Sequence, residues 1–218
     1  MNTTADGMPA IAAELAQGLA ALGIPPAPLA ARLLAYLALL AKWNRVHNLT
    51  AVRDMRDMVR LHLLDSLAVA PFVADMPGDV ADVGSGPGLP GIPLALHLPE
   101  RLFTLIETNG KKASFLRQAV IELGLANVEV VQLRAENYRP PSPFATVISR
   151  AFAALADFVA VAGHLCAADG RLLAMKGRWP GDESEALPAP WQITRVHRLD
   201  VPGVVGERHL IEIRRASS

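Results

Sequence analysis

The sequence predicts an α/β protein: a mostly parallel sheet with helices on both faces, preceded by an N-terminal helical extension. Three observations carry this expectation. From residue 79 onward, short apolar runs alternate with amphipathic segments, as they do where buried strands alternate with covering helices. Before that point, residues 1–75 show only helical spacing. A glycine-rich turn, "GSGPG" (84–88), follows the first apolar run directly, at the place where a strand hands over to a helix. The expected division is a helical extension over 1–75 packed on a core over 76–218, the whole forming one structural unit.

In chain order, "IAAELAQGLAALG" (11–23) reads as a helix closed by Gly23, and Pro25, Pro26 and Pro28 punctuate the gap that follows. "PLAARLLAYLALLAKWNRV" (28–46) places Leu29, Leu33, Leu34, Leu37 and Leu40 on one helical face. A third helix is expected over Asp54 to Val69, with Met55, Met58, Val59, Leu63 and Leu67 inward. After "DMPGD" come the strand candidates "VADVG", "LFTLIE", "VEVVQL", "ATVISRA" and "GRLLAMKG". The helices between them are "PLALHL", "KKASFLRQAVIELGL" and "LADFVAVAGHLCA". "WQITRVHRL" and "GERHLIEIRR" are expected to pair antiparallel at the sheet edge.

The glycine turn carries the chemistry. Glycines let a ligand approach main-chain N–H groups with no Cβ in the way, although a plain structural turn has the same composition. Asp82 sits on the strand just before the turn, and Glu107 closes the next strand, where a carboxylate can accept both hydroxyls of an adenosine ribose. A dinucleotide fingerprint wants glycine at its first, third and sixth positions; here Gly84 and Gly86 are followed by Leu89 at the sixth, and the spacing through Gly88 is G-x-G-x-G. That suits a ligand with ribose and adenine and no pyrophosphate, which favours S-adenosylmethionine over a nicotinamide cofactor. Pro90 and Pro93 fit a first helical turn, whose N–H groups are spare.

The rest of the composition narrows the field. The formal net charge is zero, so any nucleic-acid contact must come from local patches. The one cysteine, Cys166, excludes an internal disulfide and lies in an apolar segment that suggests packing. The six histidines (47, 62, 97, 164, 197 and 209) show no ligand spacing, so no metal is expected. The N-terminus lacks the basic start of a secretory signal, and the greasiest stretch, Leu33 to Ala41, is too short to cross a bilayer. A cytoplasmic protein without membrane contact is expected. "VISRAF" (147–152) lacks the Asn/Asp-Pro-Pro-aromatic motif of enzymes that methylate exocyclic amines. No cysteine pair is available for attack on a pyrimidine carbon. The acceptor is therefore expected to be nucleophilic already, as guanine N7 is.

"LLAKWNRVHNLTAV" (39–52), "HLLDSLAV" (62–69), "DVGSGPGLPGIPLA" (82–95), "GKKASFLRQ" (110–118), "RAENY" (134–138), "VISRAFAAL" (147–155) and "MKG" (175–177) occur in order, and together they resemble the RsmG (GidB) family of bacterial 16S rRNA guanine-527 N7-methyltransferases. The resemblance implies a class I, Rossmann-like methyltransferase fold, S-adenosylmethionine as donor with S-adenosylhomocysteine as product, 7-methylguanosine in 16S rRNA as modification, and the RNA or the 30S subunit as partner. It implies that Gly84 and Leu89 line the methionine and ribose side, that Glu107 sits at the ribose, and that Ala135 and Glu136 approach the adenine. Arg150, ending a strand, would lie where donor and base meet; Lys176 ends the next strand in the same way and is a positioning candidate.

Trp43, Asn44, His47, Asn48 and Thr50 are expected to form a network docking the N-terminal helices, the alternative being that they line the site, with His62 and Asp65 as further members. Arg32, Lys42, Arg45, Arg53, Arg56 and Arg60 against Asp54 and Asp57 suggest a positive face for RNA. "GRWPGDESEALPAP" (177–190) is a candidate lid, and a monomer is expected. The competing readings are a nicotinamide-dependent oxidoreductase and a non-catalytic RNA-binding assembly module.

Overall fold

A computed structural model describes residues 7–178 and 187–216. The five expected parallel strands form: β1 (Val80–Val83), β2 (Phe103–Ile106), β3 (Val128–Val131), β4 (Phe144–Ser149) and β5 (Cys166–Lys176). β6 (Trp191–Arg198) and β7 (His209–Arg215) pair antiparallel as expected, and the seven-stranded order is β3-β2-β1-β4-β5-β7-β6. β7 lies antiparallel to β5 and so sits inside β6, which becomes the edge. All four residues of β1 and of β2 are buried, which explains their unbroken apolar character where a half-exposed strand would alternate.

The crossover helices are α6 (Gly91–His97), α7 (Gly110–Glu122) and α8 (Leu155–Ala162). Two cores result. On one face Phe158, Val159, Leu172 and Ile211 pack under α8. On the other, Val80, Ile92, Phe103 and Phe115 share a single core with Leu15, Leu33, Tyr36 and Leu40 of the N-terminal helices α1 (Gly7–Ala21) and α2 (Leu29–His47). Leu34 is only half-buried, at the margin of the α2 face. The Tyr36 hydroxyl donates to the Pro87 carbonyl at 2.8 Å, and Arg32 donates to the Leu123 carbonyl at 2.9 Å. The extension is thereby tied both to the glycine turn and to α7.

The third helix departs from the expected shape. Asp54 caps it, accepting from the Arg56 and Asp57 N–H groups. The chain is α-helical over α3 (Met55–Met58), widens into a π-helical turn over Val59–Leu64, and tightens again over α4 (Asp65–Leu67), followed by α5 (Ala70–Ala74). Such widened turns are frequent at functional sites. This one rotates His62 and Asp65 relative to a regular helix, and Leu64 fills the space where a side chain at Gly18 of α1 would stand, 2.3 Å from that Cβ position. The strand expected from Gly170 begins four residues earlier, at Cys166, after a single 3-10 turn over Gly163–Leu165. Cys166 is buried and its thiol is pushed up to about 11 by burial, in keeping with packing.

Arg171 of β5 is almost fully buried. It donates to the Phe72 carbonyl and to Asp75 beyond α5, and stands 3.7 Å from Glu212 of β7. Helix α5 and the C-terminal hairpin are thus fastened to one buried guanidinium.

Candidate cofactor and acceptor site

The carboxyl edge of the sheet gathers most of the residues singled out from the sequence. β1 ends at Val83 and the chain turns at Gly84, whose φ of +71° is one that L side chains rarely adopt. A Cβ there would lie 2.8 Å from the Ala151 Cβ, so the turn and the end of β4 touch backbone to side chain. Gly86 is buried, its φ is +58°, and nothing stands nearer than 4.0 Å to its Cβ position. Leu89 is buried in the main core beneath the turn. Pro90 precedes α6 and Pro93 stands in its first turn, the helix-opening role expected of them.

Asp82 is fully buried; one oxygen accepts the Gly91 N–H at 2.9 Å and the other has no hydrogen-bond partner. Burial pushes its carboxyl up to about 7, against the opposing pull of the Gly91 N–H and the Arg150 charge. The folded protein therefore holds this proton at pH values where the unfolded chain, with a pKa of 3.8, has released it. Stability is expected to fall as pH rises from about 4 to about 7, by on the order of 4 kcal/mol at 1.36 kcal/mol per pKa unit. Urea unfolding across that range checks this, and Asp82→Asn should flatten the slope; an unchanged slope in that variant would refute the assignment.

Glu107, at the end of β2, is 7% exposed. Its Oε2 accepts the Gly86 N–H at 2.8 Å and its Oε1 accepts the Asn109 N–H at 2.7 Å. Asn109 in turn caps α7 through the Lys111 and Lys112 N–H groups. One carboxylate therefore links the glycine turn to the next helix. An ionised carboxylate has about four acceptor positions, so two backbone bonds leave capacity for ligand hydroxyls. Beside it lies a cleft of about 170 Å³ lined by Gly84, Thr108, Ala135, Glu136 and Phe152. The structure thus brings Gly84, Ala135 and Glu136 onto one wall, Ala135 and Glu136 standing on a 3-10 turn after β3. Leu89 is not on that wall.

Arg150 turns away from this cleft toward the N-terminal helices, donating to the Leu61 carbonyl at 3.0 Å and to Asp65 at 3.2 Å. Asp65, 4% exposed, also accepts from Arg208 Nε at 3.0 Å. Lys176 donates to the Ala153 carbonyl. These residues border a second recess of about 360 Å³, also lined by Met175 and Leu199. Sequence reasoning misses Arg208: it lies 143 residues from Asp65, and no local pattern marks the pair.

The expected docking network forms in part. Asn44 is buried, accepts the Thr50 N–H at 2.9 Å and donates to the Val52 carbonyl at 3.2 Å. The Thr50 hydroxyl lies 2.9 Å from His62 Nε2, and burial holds His62 below the usual histidine range. Asn48 ends α2 in the left-handed region. Trp43 and His47 pack together, 5.2 Å apart, with Trp43 5.7 Å from Phe115 on α7. Asp65 belongs to the arginines. Among the described residues no group of three or more His, Cys, Asp or Glu side chains gathers as a metal site, and no helix is long and apolar enough to cross a membrane. Most of the candidate lid, residues 179–186, lies outside the described residues.

The strand order, with its antiparallel strand inserted next to the edge, is that of the class I methyltransferase fold. The same fold is found in TrmN from Thermus thermophilus (TM-score 0.55, 17% identity, 72% of this chain and 53% of that one). Ribosomal protein L11 methylase from Lactobacillus delbrueckii subsp. bulgaricus shares it too (TM-score 0.55, 16% identity, 71% and 77%). The family model described as "GidB: rRNA small subunit methyltransferase G" matches residues 29–211, and the chain belongs to that family. Ribosomal RNA small subunit methyltransferase G of Ectopseudomonas mendocina is 55% identical over 206 residues, covering 94% of this chain and 96% of its own. That of Marinobacter nauticus is 56% identical over 185 residues, with 85% and 86% covered. The oxidoreductase and the non-catalytic module find no support among these relatives.

Proposed function

We propose that the protein, acting as a monomer in the cytoplasm, methylates N7 of guanine 527 in 16S rRNA with S-adenosylmethionine as donor. The observation that carries the reading is the Glu107 carboxylate bound to the Gly86 N–H, its chain neighbours Ile106 and Thr108 lining a cleft together with Gly84, Ala135 and Glu136. This arrangement fits an adenosyl ligand. Glu107 has acceptor capacity for ribose hydroxyls, Ala135 offers a small apolar surface for adenine, and Gly84 keeps clear of Ala151, which a side chain there would strike. S-adenosylmethionine, when bound, supplies an electrophilic methyl group and leaves as S-adenosylhomocysteine.

The protein's own contribution is placement. Guanine N7 carries its lone pair in the ring plane and no proton, so no side chain need act as a general base. Asp65, the carboxylate of the neighbouring recess, is engaged by two arginines and serves orientation. Holding two reactants in line in a site closed to water can remove roughly 7–11 kcal/mol of a barrier.

The positive face expected over residues 32–60 is narrower than its six bases suggest. Arg32 is spent on the Leu123 carbonyl and Arg60 on Glu14, whereas Lys42 and Arg45 stand exposed on α2. RNA affinity is expected to fall steeply with salt, and Lys42→Gln with Arg45→Gln to lower the log–log slope by about one for each phosphate no longer neutralised. The deciding experiment mixes purified protein, labelled donor and 30S subunits lacking the modification, and maps the labelled nucleotide. Label at guanine 527 is expected. Label at another nucleotide would overturn the position, and no label at all would overturn the activity.

A further inference from the structure

We propose that the recess between the π-helical turn, the ends of β4 and β5 and the turn into β7 is the acceptor-nucleotide subsite. One RNA nucleotide enters it, with a phosphate on Arg208 and its base against Met175 and Leu199, and Asp65 is the positioning residue that aims the arginines. The inference rests on the methyl-transfer reading and names where that reaction's second substrate sits.

Place is the first argument. The segment Ser149–Phe152 forms the partition between the two spaces: Arg150 lines the recess, Phe152 lines the cleft beside Glu107, and Ala151 between them touches the turn at Gly84. A base that meets the donor must come from a space sharing a wall with the donor's. This recess does. At about 360 Å³ it stands at the small end of ligand pockets, room for one nucleotide and not for a duplex segment.

Charge is the second. Among the described residues lining it, Arg150, Lys176 and Arg208 face a single carboxylate, Asp65, in a chain whose formal net charge is zero. Positive side chains together with the apolar Met175, Leu199 and Leu61 match a phosphate joined to a flat ring system.

Construction is the third. Asp65 is 4% exposed and grips Arg208 Nε with one oxygen and Arg150 with the other. Burying a carboxylate is costly unless its charge is well paired, and here two guanidiniums pair it. Arg208 Nη1 also donates to the Glu207 carbonyl. A guanidinium has five N–H donors in a rigid fork, more than these contacts use, and that fork matches phosphate. The widened turn over Val59–Leu64 brings Leu61, His62 and Asp65 to the recess together. The helical extension therefore builds part of the acceptor site.

The test compares the full-length protein with its Arg208→Gln and Arg208→Lys variants. For Arg208→Gln, the KM for 30S subunits is expected to rise about tenfold or more, the salt slope of RNA binding to fall by about one, and donor affinity by calorimetry to stay within about twofold. Arg208→Lys should recover part of the KM. A merely structural ion pair would instead lower Tm and donor affinity together, and that result, or an unchanged KM and salt slope, overturns the subsite. Should the glutamine variant fail to fold, photocrosslinking of wild-type protein to RNA with 6-thioguanosine at the acceptor position decides. Crosslinks within 61–65, 175–177 or 199–209 support the proposal, and crosslinks confined elsewhere overturn it. Guanosine 5′-monophosphate separates this failure from failure of the function. Wild-type protein that binds it through Arg208 yet methylates no RNA sinks the function and keeps the subsite. Inorganic phosphate binding equally well would reduce the recess to a phosphate site and overturn the base contact.

Discussion

Glu107→Ala is expected to weaken S-adenosylmethionine binding by a factor of about 100 to 1000 in calorimetry. The carboxylate accepts two backbone N–H groups, a buried one from Gly86 and a partly buried one from Asn109, and the alanine variant takes this partner from both while removing the acceptor for the ribose. Hydrogen bonds to a charged group contribute roughly 1.5–3 kcal/mol each, and 1.4 kcal/mol is tenfold in affinity. Glu107→Gln has one carbonyl oxygen in place of two carboxylate oxygens, so its amide nitrogen meets one of the two N–H groups and most of the loss should remain. Glu107→Asp keeps both acceptors and should retain measurable binding. Wild-type affinity in the alanine variant would show that the carboxylate only shapes the loop.

Arg171→Ala should be the most destabilising single change outside the site, by about 3–5 kcal/mol in urea unfolding, the usual cost of removing one partner from a buried ion pair. The guanidinium holds the Phe72 carbonyl and Asp75 on one side and faces Glu212 on the other, and its side chain is 2% exposed. Glu212 would keep Arg214 at 2.6 Å but lose its interior neighbour. Adding Glu212→Gln to Arg171→Met, which preserves volume and removes both charges, should recover much of the loss. Additive losses in that double-mutant cycle would mean the two residues do not interact.

The parallel strands and their crossover helices are legible in the sequence because each is a local pattern: a wholly buried strand is an apolar run, and an amphipathic helix repeats every three to four residues. The glycine turn is legible for the same reason, since Gly84 to Leu89 state its spacing within six positions. Helix widening at Val59–Leu64 is not, because a π-turn keeps the residue types of an ordinary helix and differs only in its hydrogen-bond register. The early start of β5 at Cys166 hides behind the apolar character that "HLCAADG" shares with a helix end. Arg150 can be placed at the sheet edge from its strand, but its partners are invisible there: Asp65 is 85 residues away and Leu61 is 89. Pairings between distant residues leave no periodicity in the chain, and the recess is made almost entirely of such pairings.

The position of β7 has a consequence for how the molecule is made. Synthesis delivers β6 before β7, yet β7 occupies the slot between β5 and β6, so β6 has no neighbour to bond until the residues after it have emerged. Arg208 and His209 arrive with that last strand. The cleft beside Glu107 needs only β1 through β4 and α8, whereas the recess closes when β7 docks. In chain order the residues that line the cleft therefore all precede Arg208 and His209, which complete the lining of the recess. A chain cut before Arg208 would carry every residue that lines the cleft and lack two that line the recess.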